Sequence, residues 1–192
     1  MDNEAVALDA VHRYVWSGFY DTNEIVQMIT ESIFDRGEID PKWLRAEIER
    51  AFQTKFAEEK SWPETTDCDR MDQVFATLEE QGILALQNAG NEQSDGIADV
   101  TKLYHDAGRE RSDIVGYCFY HGQDVEGVLK FNELYLTYGD ILGDADRGVE
   151  IGRRIKHALE AVGFAVEWDG SVKTRLLLKG IKWQRRYQSP GD

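Results

Sequence analysis

The chain has 192 residues, of which 42% are apolar and 30% are charged, ordinary proportions for a soluble globular protein. Lys and Arg number 22 against 36 Asp and Glu, which gives a formal net charge of −14. Because nucleic acids and anionic membranes attract positive charge, this balance argues against both as partners. The composition also excludes collagen-like, coiled-coil and disordered chains, but it does not name a function.

The first 62 residues are predicted to be helical. Apolar residues recur at helical spacing through residues 5–33. Asp40 and Pro41 form a helix start signal, because the Asp caps the helix and a proline needs no N–H in the first turn. A four-residue apolar repeat follows at Leu44, Ile48, Phe52 and Phe56. The pattern changes at Trp62-Pro63, so we predict a helical N-terminal subdomain of residues 1–62.

Residues 63–192 are predicted to form an α+β sandwich domain that ends in a basic tail. Helical periods alternate there with short runs of strand character. The expected strands are residues 83–88, 114–121, 133–138, 164–168 and 173–178. The order from residue 83 to 168 is β-α-β-β-α-β, which is the split βαβ, or ferredoxin-like, arrangement. We therefore predict an α+β fold with the helical N-terminal part packed on a ferredoxin-like mixed sheet of about five strands.

The links between these strands carry predictions of their own. The segment between His121 and Glu133 is short, which favours a hairpin with an elaborated loop over a parallel crossover. Asp169-Gly170 is typical of a type I′ turn, so a tight hairpin is expected before the last strand. In the split arrangement, the third strand lies antiparallel between the first two, which run parallel to each other.

The charge is divided unevenly along the chain. Residues 1–170 hold 35 acidic and 16 basic residues, a net charge of −19. Residues 171–192 hold 1 acidic and 6 basic residues, a net charge of +5. We expect the basic tail, which surrounds Trp183, to dock on the acidic surface of the same protein. Docking on an acidic partner is the alternative.

Three features predict a cytoplasmic location. The two cysteines, Cys68 and Cys118, are too few for a disulfide framework. The chain starts with the acidic residues Asp2 and Glu4, where a secretory signal would be basic. No apolar run approaches the ~20 residues that a membrane-spanning helix requires.

Six motifs distributed over most of the chain occur here together. They are VWSGFYD (15–21), WPETTDCDR (62–70), LQNAG (86–90), GYCFYHGQD (116–124), VEWDG (166–170) and WQRR (183–186). In these motifs the sequence resembles a bacterial family catalogued only as a domain of unknown function. The resemblance implies no activity, because none is established for that family.

Polar side chains gather where the first two predicted strands end. The carboxyl ends of these two strands should meet at one edge of the sheet. Asn132 and Glu133, at the start of the third strand, would lie at the same edge. The candidate ligand-binding residues at this edge are Gln87, Asn88, His121, Gln123 and Asp124. They offer neutral donors and acceptors together with one titratable imidazole, which suits a small polar ligand. The alternative is a network that only satisfies the backbone of the loops.

A catalytic pair of Cys118 and His121 is not expected. Side chains three positions apart on a strand point to opposite faces of the sheet. Cys118 is instead predicted to be buried and inert, since free cysteine is among the most buried residue types. Cys68 lies near a predicted helix start, but the flanking Asp67 and Asp69 would raise its pKa.

Metal, cofactor and nucleic-acid sites are not expected either. Asp140, Asp144 and Asp146 suggest a calcium loop, but Gly148 falls at the wrong position. The four histidines show no ligand spacing with either cysteine, and Gly-rich phosphate fingerprints are missing. The aromatic run 116–120 resembles that of an RNA-recognition motif. However, it lies on the second strand instead of the third, and no basic residue precedes it.

Two functions from different classes remain. The leading hypothesis is a cytoplasmic, non-enzymatic inhibitor or regulator that binds a basic protein through its acidic surface. The alternative is a small-molecule enzyme or ligand sensor whose site lies at the edge formed by Asn88, His121 and Asp124.

Overall fold

The computed structural model describes residues 2–108 and 113–187. These residues form two compact units. The first comprises the described parts of Met1–Thr66 and Gln184–Asp192, and the second is Asp67–Trp183 without the undescribed residues. Helices and a mixed five-stranded sheet both occur in the described chain, which confirms the α+β class.

The first unit is built on three helices. They are α1 (Asn3–Ser17), α2 (Thr22–Ser32) and α3 (Pro41–Glu59). Asp40 caps α3 by accepting a hydrogen bond from the backbone N–H of Lys42 at 2.9 Å, as the Asp-Pro signal predicts. Apolar residues from all three helices, among them Val11, Ile29 and Ile48, form one buried core.

A buried lysine joins two of these helices. Lys55 on α3 is fully shielded from solvent, and its ammonium group donates to the backbone carbonyl of Val15 on α1 at 3.0 Å. A charge removed from water needs such hydrogen bonds to offset the loss of hydration. This bond therefore fixes the end of α1 against α3.

The described end of the basic tail, residues 184–187, belongs to the first unit and packs there on aromatic side chains. Arg185 lies over the ring of Phe19, with 4.7 Å from the guanidinium carbon to the ring centroid. Arg186 donates to the carbonyl of Pro63 at 2.8 Å. Gly18 has φ +81°, and a Cβ at that position would lie 2.7 Å from the backbone oxygen of Arg185. Only glycine fits such a close approach.

The second unit combines helices with the sheet. Its helices are α4 (Asp67–Glu80), α5 (Gln93–Asp106), α6 (Gly122–Phe131) and α7 (Ala145–Ala161). Its strands are β1 (Ile83–Leu86), β2 (Gly116–Phe119), β3 (Glu133–Asp140), β4 (Ala165–Glu167) and β5 (Leu176–Lys179). The α7 helix packs on β3, where Gly152 lets the rings of Tyr138 and Trp168 approach the helix backbone closely.

The sheet order corrects the predicted position of the third strand. The order is β1-β2-β3-β5-β4, with β1 and β2 parallel and the other neighbours antiparallel. The prediction that β3 lies between β1 and β2 is wrong, because these two strands pair directly, Leu86 opposite Phe119. The apolar pattern within each strand does not distinguish the two strand orders, because either order would bury the same faces of the strands.

Two predicted links also differ from the structure. The segment after His121 is the helix α6 and not a loop. Its signals are the buried Val125 and Val128, three positions apart, and the left-handed Asn132 that ends the helix. The tight turn predicted at Asp169-Gly170 is part of a longer connection, because Glu167 pairs with Leu177. No helix among the described residues has the length and apolar character to cross a membrane.

Candidate functional site

The ends of β1 and β2 lie side by side. Beyond the paired strands, the N–H of Ala89 donates to the carbonyl of Tyr120 at 2.9 Å. The N–H groups of Gly122 and Gln123 donate to the carbonyls of Gly90 and Asn91 at 3.0 and 3.1 Å. The two segments therefore meet, as predicted, because they pair directly with each other beyond the ends of the strands.

His121 and Asp124 form a buried pair at this edge. Each is only 5% exposed. The imidazole Nε2 lies 3.2 Å from Oδ2 of Asp124, and the backbone N–H of His121 donates to the same oxygen at 3.1 Å. This second bond belongs to the start of α6, where His121 is the N-cap residue and Asp124 the third residue of the helix. The helix start thus holds the carboxylate against the imidazole.

Arg175 completes the charge balance of this pair. Its Nη2 donates to Oδ2 of Asp124 at 2.5 Å and to the carbonyl of Tyr135 at 3.1 Å. The guanidinium group also lies over the ring of Tyr135, 5.3 Å from the centroid. A buried carboxylate needs such a charged partner to remain ionised. The Asp124 side chain is therefore shared by Arg175 and His121.

The arrangement fixes the proton on His121. A carboxylate oxygen only accepts hydrogen bonds, so we assign the imidazole hydrogen to Nε2, which faces Asp124. Burial lowers the pKa of His121, while the Asp124 carboxylate raises it in part and Arg175 lowers it. The neutral imidazole therefore carries a lone pair on Nδ1. This atom is shielded from solvent and makes no complete hydrogen bond among the described residues, and the donor nearest to it is the backbone N–H of Asp124 in the capping box of α6.

A surface pocket of about 550 Å³ adjoins this pair. Its lining residues are Glu92, Gln93, Ser94, His121, Gln123, Asp124 and Arg175, and we call it the His121 pocket. The starts of α5 and α6 both contribute to it. Arg175 Nε is a second buried atom of this lining without a partner. Two residues of the lining thus each carry one buried polar atom without a complete hydrogen bond.

The loop before α5 is held by a carboxylate and a glycine. Asp95 accepts hydrogen bonds from the N–H groups of Asn91 and Glu92 at 2.9 and 3.0 Å. Gly90 has φ +61°, and a Cβ there would lie 2.1 Å from the Cβ of Asp95. No larger residue fits without moving the backbone. The Glu92 side of the His121 pocket is therefore built on a constrained loop.

The predicted site residues divide into two groups. His121, Gln123 and Asp124 line the His121 pocket, whereas Gln87 and Asn88 do not. The amide of Gln87 donates to Asp72 at 2.8 Å and accepts from the hydroxyl of Tyr120 at 2.6 Å, which makes it part of an internal network. Asn88 has the positive φ of a turn residue, +51°.

Four lining residues did not appear in the sequence prediction: Glu92, Gln93, Ser94 and Arg175. The acidic pair Glu92 and Asp95 marks a helix start and could have drawn attention to the α5 end. Arg175 carries no local signal. It reaches Asp124 across 51 residues, because β5 pairs with β3 and so brings the segment before β5 to this edge.

Cysteine and metal chemistry are not supported by the surroundings of the candidate groups. Cys118 is fully buried, as predicted, and burial raises the pKa of its thiol far above the usual range, which leaves no reactive thiolate. Over residues 2–108 and 113–187, no group of three or more His, Cys, Asp or Glu side chains is arranged to hold a metal ion. The groups that line the His121 pocket are an imidazole, two carboxylates, the amides of Gln93 and Gln123, the hydroxyl of Ser94 and a guanidinium group.

Comparison with known proteins places the chain in a family. Residues 1–187 match the family described as Domain of unknown function (DUF6891). The chain belongs to this family. The match covers nearly its whole length and confirms the predicted resemblance to a family of unknown function. No curated protein and no solved structure matches the chain.

Proposed function

We propose that the chain binds a small polar molecule in the His121 pocket. The observation that carries this proposal is the buried Nδ1 of His121, which makes no complete hydrogen bond in the described chain although the His121 residue lines an open pocket. A buried polar atom without a hydrogen bond costs about 1–3 kcal/mol. A ligand that supplies the missing bond recovers this free energy. The geometry thus favours the small-molecule alternative over the leading hypothesis.

The two polar atoms without a complete hydrogen bond, His121 Nδ1 and Arg175 Nε, define the groups that the ligand must offer. The lone pair of Nδ1 requires a hydrogen-bond donor, and Nε of Arg175 requires an acceptor. A fully ionised anion offers only acceptors, and the carboxylates of Glu92 and Asp124 would repel it. A neutral hydroxyl or carboxamide group offers both a donor and an acceptor. The preferred ligands are therefore hydroxylated or amide-bearing molecules small enough for about 550 Å³.

The same arrangement suits proton transfer. Asp124 holds the hydrogen of Nε2 and stabilises an imidazolium, while Arg175 holds Asp124 in place. His121 can therefore take a proton from a ligand hydroxyl at Nδ1, as a general base does. Whether the pocket belongs to an enzyme or to a ligand sensor depends on the ligand, and both fit this geometry.

The proposal is tested by ligand screening with the full chain. A thermal-shift screen of sugars, polyols and carboxamides should yield compounds that stabilise the wild type. His121→Gln is the informative variant, because the glutamine amide reaches the place of Nε2 and leaves that of Nδ1 empty. It should lose the stabilisation, whereas His157→Gln, an exposed histidine on α7, should keep it.

Nitrogen NMR of the His121 ring provides a direct measurement. The Nδ1 resonance should move when a stabilising compound is added. Binding that leaves both the Nδ1 resonance and the His121→Gln variant unaffected would place the ligand elsewhere and contradict the proposal. A screen without any stabilising compound would also count against it.

A second candidate is an inhibitor or regulator that binds a basic protein. It is supported by the net charge of −19 on residues 1–170, which favours a positively charged partner over a nucleic acid or a membrane surface. A cytoplasmic location, supported by the scarcity of cysteines, is part of the proposal. Affinity purification at low salt should recover a basic protein, which high salt should release. Recovery of no such protein at low salt would contradict this candidate.

A further inference from the structure

The first unit has a pocket of a different kind. Its volume is about 390 Å³, and its lining combines aromatic and acidic side chains. The lining residues are Asp21, Thr22, Glu49, Phe52, Gln53, Phe56 and Tyr187, and we call it the aromatic pocket. Neither the sequence motifs nor the His121 pocket explains it. All of these residues lie in the first unit.

Three rings form the apolar part of the lining. Phe52 and Phe56 lie one helical turn apart on α3, with ring centroids 5.8 Å apart and an interplanar angle of 28°. Tyr187 approaches Phe52 edge-on, with 6.1 Å between the centroids. Phe52 is 8% exposed and belongs to the core, whereas Phe56 is 48% exposed. The Phe56 ring therefore presents apolar surface that the first unit does not bury.

The charges around these rings are negative. Asp21 and Glu49 line the pocket directly. Burial raises the pKa of Tyr187, and the carboxylates of Asp21 and Glu24 raise it further, so the phenol remains uncharged beside them. Negative charge beside aromatic faces disfavours anions. It attracts cations, which also bind to the faces of aromatic rings.

We propose that the aromatic pocket is the docking point for a lysine or arginine side chain of a basic protein partner. The aliphatic stem of such a side chain packs on Phe56, and its charged end binds the carboxylate of Glu49 or Asp21. The inference rests on the second function proposed above, since it names where that partner is held. We specify a protein as the partner because the wider acidic surface attracts further basic residues around the anchoring side chain.

The test uses the full chain and a hexalysine peptide as the probe. The affinity is measured by NMR titration at low salt, together with the ring signals of Phe52, Phe56 and Tyr187. These signals should move on binding. Phe56→Ala should weaken binding roughly two- to fivefold, the range expected for an exposed cation–π contact. Acetylation of all the lysines of the peptide, which removes the positive charge of their side chains, should abolish these effects.

Matched variants separate the pocket from general electrostatics. Phe131→Ala removes an equally apolar ring that is 70% exposed in the second unit, and it should leave the affinity unchanged. Glu49→Gln and Glu79→Gln change the net charge by the same amount, but Glu79 lies outside the aromatic pocket. Glu49→Gln should therefore weaken binding more than Glu79→Gln does.

The outcomes distinguish the inference from the function on which it rests. If the peptide binds but Phe56→Ala and Glu49→Gln behave like their controls, the acidic-surface function stands and the aromatic pocket is not its docking point. If the peptide does not bind at low salt, both are overturned. Phe56 is half exposed, so its removal should leave the fold intact, which circular dichroism of the variant checks.

Discussion

The two pockets differ in what their side chains lack. In the His121 pocket, polar atoms are buried without hydrogen-bond partners, so the unmet requirement is a donor and an acceptor. In the aromatic pocket, a large ring is exposed beside carboxylates, so the unmet requirement is apolar cover and positive charge. The two proposals therefore require ligands of opposite character from the same acidic chain. Net charge alone describes neither of them.

The largest expected effect is at a ring that both lines the aromatic pocket and belongs to the core. Phe52→Ala should reduce the free energy of unfolding by about 3–5 kcal/mol, because it leaves a cavity in the core of the first unit. Phe56→Ala should cost less than about 1 kcal/mol, since half of that ring is already in water. Urea denaturation measures both. Equal losses would mean that Phe56 is a core residue, and the comparison between the pockets would fail.

The second prediction concerns the buried carboxylate. Asp124→Ala should cost about 2–4 kcal/mol, because Arg175 and the backbone N–H of His121 lose their shared acceptor. The exposed Asp99 on α5 is the matched control, and Asp99→Ala should change stability by less than about 0.5 kcal/mol. Urea denaturation of both variants provides the measurement. A small loss for Asp124→Ala would show that the carboxylate is not the centre of the site.

The third prediction concerns the loop of the His121 pocket. Gly90 and Gly143 both have positive φ, but only Gly90 has neighbours where a Cβ would lie. Gly90→Ala should therefore cost about 1–3 kcal/mol more than Gly143→Ala, the excess being due to overpacking against Asp95. Thermal unfolding of the two variants measures the difference. Equal losses would indicate that the loop shifts freely and does not shape the pocket.

The smallest effect is a pH dependence. Burial lowers the pKa of His121 below its ordinary 6.5, so the unfolded chain binds more protons at this group than the folded chain. Its contribution to stability is complete above pH 6.5 and falls as the pH drops towards the lowered value. Arg175 adds to this lowering of the pKa, whereas the carboxylates of Asp124, Asp95 and Glu92 oppose it.

The measurement compares unfolding free energies at pH 7.5 and 5.5. The wild type should lose more stability over this interval than His121→Gln, while His157→Gln should follow the wild type. If His121→Gln shows the same loss as the wild type, the folded protein protonates the imidazole as readily as the unfolded chain does. The neutral state of the ring, and with it the lone pair on Nδ1, would then lose its support.

The sequence predicted the elements of the fold better than their arrangement. Helix periods and caps, such as Asp40-Pro41, are local, and so are the apolar runs of the five strands. The choice between placing β2 or β3 beside β1 depends on contacts between distant segments. The α6 helix was missed because a short segment between two strands resembles a loop until Val125 and Val128 are seen to be buried.

The candidate site was partly predictable for the same reason. His121, Gln123 and Asp124 lie within one short segment, so their neighbourhood could be inferred from the strand end. Arg175 enters the site only through the pairing of β5 with β3. Gln87 could not be separated from the site, because its partners Asp72 and Tyr120 are known only from the folded chain.

The burial of the Lys55 ammonium group provides a way to measure motions of the first unit. Acylating reagents modify amines that reach solvent, and in the native state this amine is enclosed between α1 and α3. Its labelling therefore requires that the two helices separate. Mass spectrometry of Lys55, with the exposed Lys60 as an internal reference, would report how often this happens.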